Sequence, residues 1–439
     1  MPSIVCGRTL PTRQALDVAR NIADETLEAL IATQEEIDWR CYRLYGLLDD
    51  ALEHPAPPPL HPGERAFEIA MARHMAEGSL ETAWFKRHDA TPVTDMPPSW
   101  PESYRAIVEQ RIALIENDAT IGLIERPEFK RRWTMESWAD MEHEALRLWL
   151  LDRLESPDLW TSGDSRLLST NQLADLMRRE ADFLSVAGLY AGRPDFALEA
   201  LVAELVMKEA EPFLAVLRYT DTGLRKRVQW EETWAKQRRE DVIDADVAAR
   251  REEFRIQAER RAHEHWRAVN QRRPDEEPEP YAIRMQAGAA EDVEREMDRL
   301  VTAEQHRIKR EDIGDIPVPP KYVTKDFQSA DFWRLRGGLD VPKERFVSFP
   351  HCQRDADGSL VVTWAGHDHL KRALALAAYY QERKDNEGWP SDRLVPLLAG
   401  VIELLPWLLQ WHNDYDPDLG ARMGDYFVDS CKRRPGRSA

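Results

Sequence analysis

Residues 222–273 hold one glycine, no proline and a close mixture of acidic and basic side chains. So long a polar run without a breaker predicts a long solvated helix or a short coiled coil. The same reading extends along most of the chain. Residues 12–45 are predicted as one helix from Thr12 to a stop at Gly46. Its buried stripe is expected to use Leu16, Ala23, Leu27, Leu30, Ile31, Ile37, Trp39 and Tyr42. Further helices are predicted at 64–77, 102–117, 134–155, 169–188, 195–208, 209–219, 289–312, 367–386, 391–412 and 417–431. The proline-rich stretches at 54–63, 91–101, 274–280 and 316–322 break them, because adjacent prolines favour extended backbone. RFVSFP (345–350) and SLVVTWA (359–365) are β-branched runs around a polar loop, which reads as a β-hairpin.

The fold class expected is therefore mainly α, multi-helical, with a long charged helix and a small C-terminal α+β unit containing one β-hairpin. The division expected is a long N-terminal helix (1–53), a helical domain (64–220), a charged long-helix segment (221–315), a C-terminal helical unit with the hairpin (316–431) and a basic tail (432–439). In the terminal unit, Phe346, Val362, Trp364, Leu374, Leu397, Leu404, Leu405, Trp407 and Leu408 are the expected core.

A chain of 439 residues with 43% hydrophobic residues can build two or three cores. Fifteen tryptophans point to helix–helix packing first and base stacking second. A net charge of −19 excludes a surface that binds nucleic acid throughout, though not a local basic face. Cys6, Cys41, Cys352 and Cys431 form no C-x-x-C pair, so neither a zinc knuckle nor a disulfide framework is expected. With no apolar leader at the start and no run of 18 apolar residues, a cytoplasmic protein without a membrane partner is expected.

Chemistry-bearing motifs are scarce. Amino methylation of DNA needs a glycine loop for S-adenosylmethionine and an Asn/Asp-Pro-Pro-aromatic motif to accept from the base's amino group. The Pro-Pro pairs in APPPL (56–60), MPPSW (96–100) and VPPKY (318–322) follow neither Asn nor Asp, and there is no G-x-G or P-loop pattern. No catalytic, cofactor-binding or metal-binding residue is therefore assigned. His367 and His369, with His351, Cys352 or His412, would be the ligands of a cryptic metal-dependent hydrolase, but H-x-H at a helix start is more simply a pair of locally bonded imidazoles. His263 and His265 read as surface. Glu128-Phe129-Lys130 imitates half a nuclease motif, without the strand that should carry its Asp.

Basic clusters are the better lead. Residues 218–241 carry seven cations against five carboxylates, a local +2. Gly223 is expected to supply a turn presenting Arg225, Lys226 and Arg227. Trp230 and Trp234, four residues apart, would anchor the following helix. Arg238 and Arg239 extend this cluster. Lys321, Lys325, Arg334, Arg336, Lys343 and Arg345 form a second, and Arg126, Lys130, Arg131 and Arg132 a third. DNA-backbone contact by Arg225, Lys226, Arg227, Arg238, Arg239, Arg334, Arg336, Lys343 and Arg345 explains the first two clusters; so does pairing with carboxylates inside the chain.

Successive blocks of the sequence resemble one family. QEEIDWRCYRLYGLL (34–48), GERAFEIAMAR (63–73), TAWFKRHDATPVTDMPPSWP (82–101), IGLIERPEFKRRW (121–133) and LRLWLLDRLE (146–155) occur in order. GLRKRVQWEETWAKQRRED (223–241), IPVPPKYVTKDF (316–327), FWRLRGGLDVPKERFVSFP (332–350), WAGHDHL (364–370) and LLAGVIELLPWLLQWHNDYDP (397–417) follow. Together they are similar to the C-terminal portion of the BREX type 2 (Pgl-type) adenine-specific DNA methyltransferases, over residues 15–430. One departure is His367, where the family has Trp in W-A-G-W-D-H-L. The resemblance implies a non-catalytic region of a phage-defence adenine-N6 methyltransferase. That parent would use S-adenosylmethionine, act on double-stranded DNA and hold its catalytic motifs upstream. The region would position DNA, or dock the catalytic portion or other BREX proteins. A structural interaction module without DNA contact is the alternative.

Overall fold

The computed structural model describes residues 2–133, 136–161, 165–269, 277–337, 344–354 and 356–432. In chain order its helices are α1 (Pro2–Arg8), α2 (Arg13–Leu44), α3 (Ala66–Ala76), α4 (Trp84–Arg87), α5 (Glu102–Asn117), α6 (Ala119–Ile124), α7 (Trp138–Leu154), α8 (Pro157–Thr161), α9 (Thr170–Met177) and α10 (Ala181–Ala191). They continue with α11 (Leu198–Lys208), α12 (Ala215–Arg218), α13 (Asp221–Ala249), α14 (Arg255–Val269), α15 (Pro278–Asp312), α16 (Ala330–Phe332), α17 (His369–Asp385), α18 (Ser391–Trp411) and α19 (Met423–Lys432). Six short strands accompany them: β1 (Leu168–Ser169), β2 (Ala210–Pro212), β3 (Phe346–Ser348), β4 (Val361–Trp364), β5 (Tyr415–Asp416) and β6 (Ala421–Arg422). The protein is mainly α, as its periodicity predicts. It divides into two compact units, Met1–Ser156 with Ala174–Leu201, and Pro157–Leu173 with Val202–Ala439.

In the first unit α2 begins where the Thr12 hydroxyl accepts from the Ala15 amide at 3.2 Å. It ends where Gly46 takes φ +71°, a conformation open to glycine without strain. Leu16, Ile31, Ala32 and Trp39 are buried along one face, but Leu30 and Ile37, expected there too, are exposed. A single helical face cannot hold both sets. Ile31 packs with Leu60, Ile69, Tyr104 and Val108 of the α3–α5 layer, which leaves Leu30 and Ile37 on the far side.

Beneath α2 lies a buried ionic network. Lys130 Nζ donates to Glu125 at 2.8 Å, Asp38 at 2.7 Å and the Tyr42 hydroxyl at 3.3 Å, while Tyr42 donates to Glu125 at 2.6 Å. Arg111, fully buried, donates to Glu36 at 2.7 Å and to the Leu52 carbonyl. Arg65 holds Glu68, which also accepts from the Trp84 indole at 3.0 Å.

The second unit is built on a four-stranded sheet ordered β1-β4-β3-β2. The expected hairpin is its centre, with Phe346 opposite Trp364 and Ser348 opposite Val362. Strands β1 and β2 are not legible in the sequence: Ser169 of β1 and all of β2 fall within helices expected at 169–188 and 209–219. Pro212 has no amide proton, and Ala210–Pro212 instead pair in parallel with Phe346–Ser348. The hairpin therefore shares its sheet with residues 168–212 rather than standing on residues 316–431 alone. One face packs on α17 and α18 through Val347, Phe349, Val361, Leu376, Leu397 and Leu404. Of the expected terminal core, Phe346, Val362, Leu397, Leu404 and Leu408 are buried, Trp364, Leu405 and Trp407 are half-buried, and Leu374 is exposed.

The stretch 222–273 is not one helix. A 3-10 turn over Arg251–Phe254 separates α13 from α14, and Ala258 of α14 buries itself against Met297 and Leu300 of α15. Helix α18 has the length and apolar composition to cross a membrane, the one described helix that does. Here it buries Leu394, Leu397, Gly400, Val401, Leu404 and Leu408 within the unit.

Candidate functional site

Helix α13 carries most of the sequence-predicted cations. Gly223 is not a turn but a buried residue in its first turn. A Cβ there would sit 2.1 Å from the Asp326 carbonyl oxygen, so only glycine lets the helix approach that backbone. The segment 315–326, irregular until a 3-10 turn at Thr324–Asp326, runs along the helix and satisfies its polar groups through backbone carbonyls. Lys226 Nζ donates to Lys321 O at 2.9 Å, Trp230 Nε1 to Pro320 O at 3.0 Å, and Lys236 Nζ to Asp315 O at 3.1 Å. Tyr219 stacks on Tyr322 with centroids 5.1 Å apart. Trp230 and Trp234 anchor the helix as expected, their rings 5.8 Å apart, and Trp234 meets Trp407 of α18 at 5.5 Å.

The cations sort by their partners. Lys226 pairs with the buried Asp326 at 2.6 Å, and its ammonium and the Val323 amide hold that carboxyl below its usual range against the effect of burial. Arg227 bridges Glu231 at 2.7 Å and Glu403 at 3.0 Å. Arg336 pairs with Glu211 at 2.5 Å and Glu344 at 3.2 Å, both buried carboxylates. Arg238 lies 5.0 Å over the Trp407 ring. Arg239 pairs with Asp312 at 2.7 Å, and both are about half exposed. Arg334 donates to Lys208 O at 2.6 Å and lies 3.8 Å from the buried Glu209 carboxylate, although its own side chain stays 53% exposed. Arg225 is exposed and makes no ion pair among the described residues. Arg345 is half-buried, its amide donating to Glu209 O. Lys343 and the tail beyond Lys432 lie outside the described residues. In the third cluster Lys130 belongs to the buried network described above, and Arg131 lies over Trp133.

These differences matter because exposed pairs contribute at most about 1 kcal/mol and exchange readily for a phosphate. A cation facing a buried carboxylate does not exchange, since leaving would strand that charge. Arg225 and Arg239 therefore stay available, whereas Lys226, Arg334 and Arg336 face the buried Asp326, Glu209 and Glu211, and Arg227 is held between two carboxylates at once. Arg225 and Arg239 are 14 residues apart, close to four whole turns, and share a face with Lys236.

The histidine candidates do not gather at one site, although His369 and His412 lie with ring centroids 6.1 Å apart. His367 is buried with Nδ1 3.2 Å from the Thr363 hydroxyl, and burial together with Arg372 pushes its pKa down to about 4. His369 instead stacks on Trp407 at 5.6 Å. Cys352 is buried and its thiol is pushed up to about 12 by that burial. Among the described residues no group of three or more His, Cys, Asp or Glu side chains is arranged to hold a metal.

A second surface was missed in the sequence. Val18, Ile22, Leu30, Ile37 and Leu44 recur along α2 at helical spacing, opposite the buried face, and each is about half exposed or more. Leu44 reaches 68% and the adjoining Tyr45 82%. A surface helix normally keeps its outer face polar. A row of exposed aliphatics repeated along one helix face is suited to being covered by a partner surface. The spacing was legible, but it competed with the inner stripe for the same residues.

Residues 30–438 match a single family, described as domain of unknown function (DUF7008), and the chain belongs to it. It is also similar to a named enzyme, the adenine-specific methyltransferase PglX of Streptomyces coelicolor, at 38% identity over 443 residues. That alignment covers 99% of this chain but 31% of PglX, so the chain spans about a third of its relative's length. No solved structure matches it.

Proposed function

We propose that the chain is a non-catalytic accessory region of a cytoplasmic, BREX-type adenine-N6 DNA methyltransferase in phage defence, and that it docks on the methyltransferase portion. The exposed apolar stripe of α2 carries this reading, because 69% of PglX lies outside the matched region and would supply a covering surface. In that assembly S-adenosylmethionine and the flipped adenine belong to the methyltransferase portion, and this chain contributes no catalytic group. The test replaces Ile22, Leu30 and Ile37 with Glu and measures binding to the remaining portion of PglX, produced as a separate polypeptide. Capture should fall at least tenfold while circular dichroism stays unchanged. Equal capture by the triple variant overturns the reading.

A second reading, backbone contact with double-stranded DNA, is favoured by Arg225 and Arg239, which face solvent without a buried carboxylate. Of the nine cations named from the sequence, these two are the ones to replace.

A further inference from the structure

Between α13 and α18, within the second unit, lies a cleft of about 400 Å³. Trp407 and Trp411 form one wall, their rings 5.0 Å apart and 25° from parallel, and Trp234 stands edge-on to Trp407. Trp411 is 56% exposed, so its indole is open to a planar guest. The polar groups at the cleft are arranged unusually. The Gln410 amide nitrogen donates to Asp241 at 2.8 Å, which fixes the amide's orientation, because the opposite one would set its oxygen against a carboxylate. The Gln410 Oε1 that results is buried without a partner. Arg238, stacked on Trp407, likewise leaves Nη1 buried and unpartnered. An unmet acceptor and an unmet donor thus accompany an aromatic wall in one concave site.

We propose that this cleft binds a nucleobase, stacked on Trp411 with its edge read by Gln410 Oε1 and Arg238 Nη1. Adenine and cytosine present an amino donor beside a ring-nitrogen acceptor, the complement of that pair. Base–indole stacking is tolerant of sequence and supplies most of the affinity. Arg238 disfavours a cationic guest, which an aromatic cage would otherwise suit. Glu240 and Asp241 at the same cleft disfavour a polyphosphate. The shared chemistry is a base edge, presented either by a free nucleoside or by an unpaired base in single-stranded DNA. This inference is independent of the docking reading of α2, since it concerns the other unit and a different surface.

The experiment titrates the full chain with a fluorescent twelve-residue deoxyadenosine oligonucleotide, a matched oligonucleotide of abasic sites, and free adenosine. The adenine oligonucleotide should bind at least tenfold more tightly than the abasic one. Trp411→Ala should abolish that difference, and Gln410→Leu should reduce it several-fold. Competition by adenosine identifies a nucleoside site, and its failure with retained oligonucleotide binding identifies an unpaired base in a strand. Equal binding of adenine and abasic strands, or a preference unchanged in Trp411→Ala, overturns the proposal. So does displacement of the oligonucleotide by tetramethylammonium at low millimolar concentration, which would mark a cation cage. Trp411 is exposed, so its replacement leaves the fold intact; unchanged circular dichroism checks this, and Gln410→Leu gives a second, independent readout.

Discussion

Replacing Lys130 with Met should unlock the first unit. Lys130 faces Glu125 and Asp38 at 2.8 and 2.7 Å, and only 2% of its side chain is exposed. At an effective dielectric of 20, one such contact represents about 6 kcal/mol of attraction. Desolvation of the three charges offsets much of this. Removing the cation alone still costs about 3–5 kcal/mol, because Glu125 remains fully buried without it. The pH dependence gives the reasoning a second handle. In the wild type Lys130 is held above its usual pKa, since Glu125, Glu35 and Asp38 outweigh burial, so its contribution is complete throughout the acid and neutral range. Burial already raises Glu125, and Lys130 opposes that rise. Without the lysine Glu125 should rise further, and Glu35, now held below its usual value, should rise with it. A carboxyl whose folded pKa exceeds its unfolded one destabilises above the unfolded value, and the penalty fades as pH falls toward about 4.5. The loss should therefore be larger at pH 7.5 than at pH 5, by about 1.4 kcal/mol for each unit of added rise. Hydrogen exchange of α2 and α5 amides in the full chain reads this locally. Adding Glu125→Gln to Lys130→Met should return about half the loss. A loss below about 1 kcal/mol that is flat with pH would refute the account.

Other outcomes follow from the second unit and from α13. Gly223→Ala gains about 1 kcal/mol in helix propensity, but the clash with the Asp326 carbonyl should leave the variant about 1–3 kcal/mol less stable in urea melts. His367 is depressed to about 4 from 6.5, so its contribution is present above pH 6.5 and is lost as pH falls through about 4. The loss is at most about 3 kcal/mol, and His367→Phe should flatten the stability profile across that window. Trp407→Ala removes a half-buried ring from the Trp234–Trp411 stack and should cost about 2–3 kcal/mol, below the value for a fully buried indole. If the chain touches DNA in its assembled enzyme, Arg225→Gln and Arg239→Gln together should flatten the plot of log affinity against log salt by about 1.8 units. Replacing Lys226, Arg227 and Arg336 instead should lower stability.

What the sequence reveals of this protein is what local physics determines. Thr12 as a cap, Gly46 as a stop and the β-branched runs around 345–365 act within a few residues of themselves, and each stands where it was expected. Strand β2 is different. Ala210–Pro212 has no strand pattern of its own and becomes one because Phe346–Ser348 lies beside it. The basic clusters mislead for the same reason. Within residues 218–241 the charges sum to +2, which resembles a binding face. Yet the carboxylate of Lys226 is 100 residues away, and one of the two held by Arg227 is 176 away. A window of sequence counts the cations and misses their partners.

That separation also explains why α13 can be both charged and structural. Its cations do not form a solvated stripe; several cross to the 315–326 segment and to Glu403, fastening pieces of chain that share no local pattern. Breaking the contact of Lys226 with the buried Asp326 would leave a carboxylate without its donor, a penalty of about 1–3 kcal/mol even for a neutral group. The residues free to meet an outside partner are accordingly those whose loss strands nothing: Arg225 and Arg239 on α13, the aliphatic row on α2, and Trp411 at the edge of the aromatic cleft. A binding partner can recruit these without dismantling either unit.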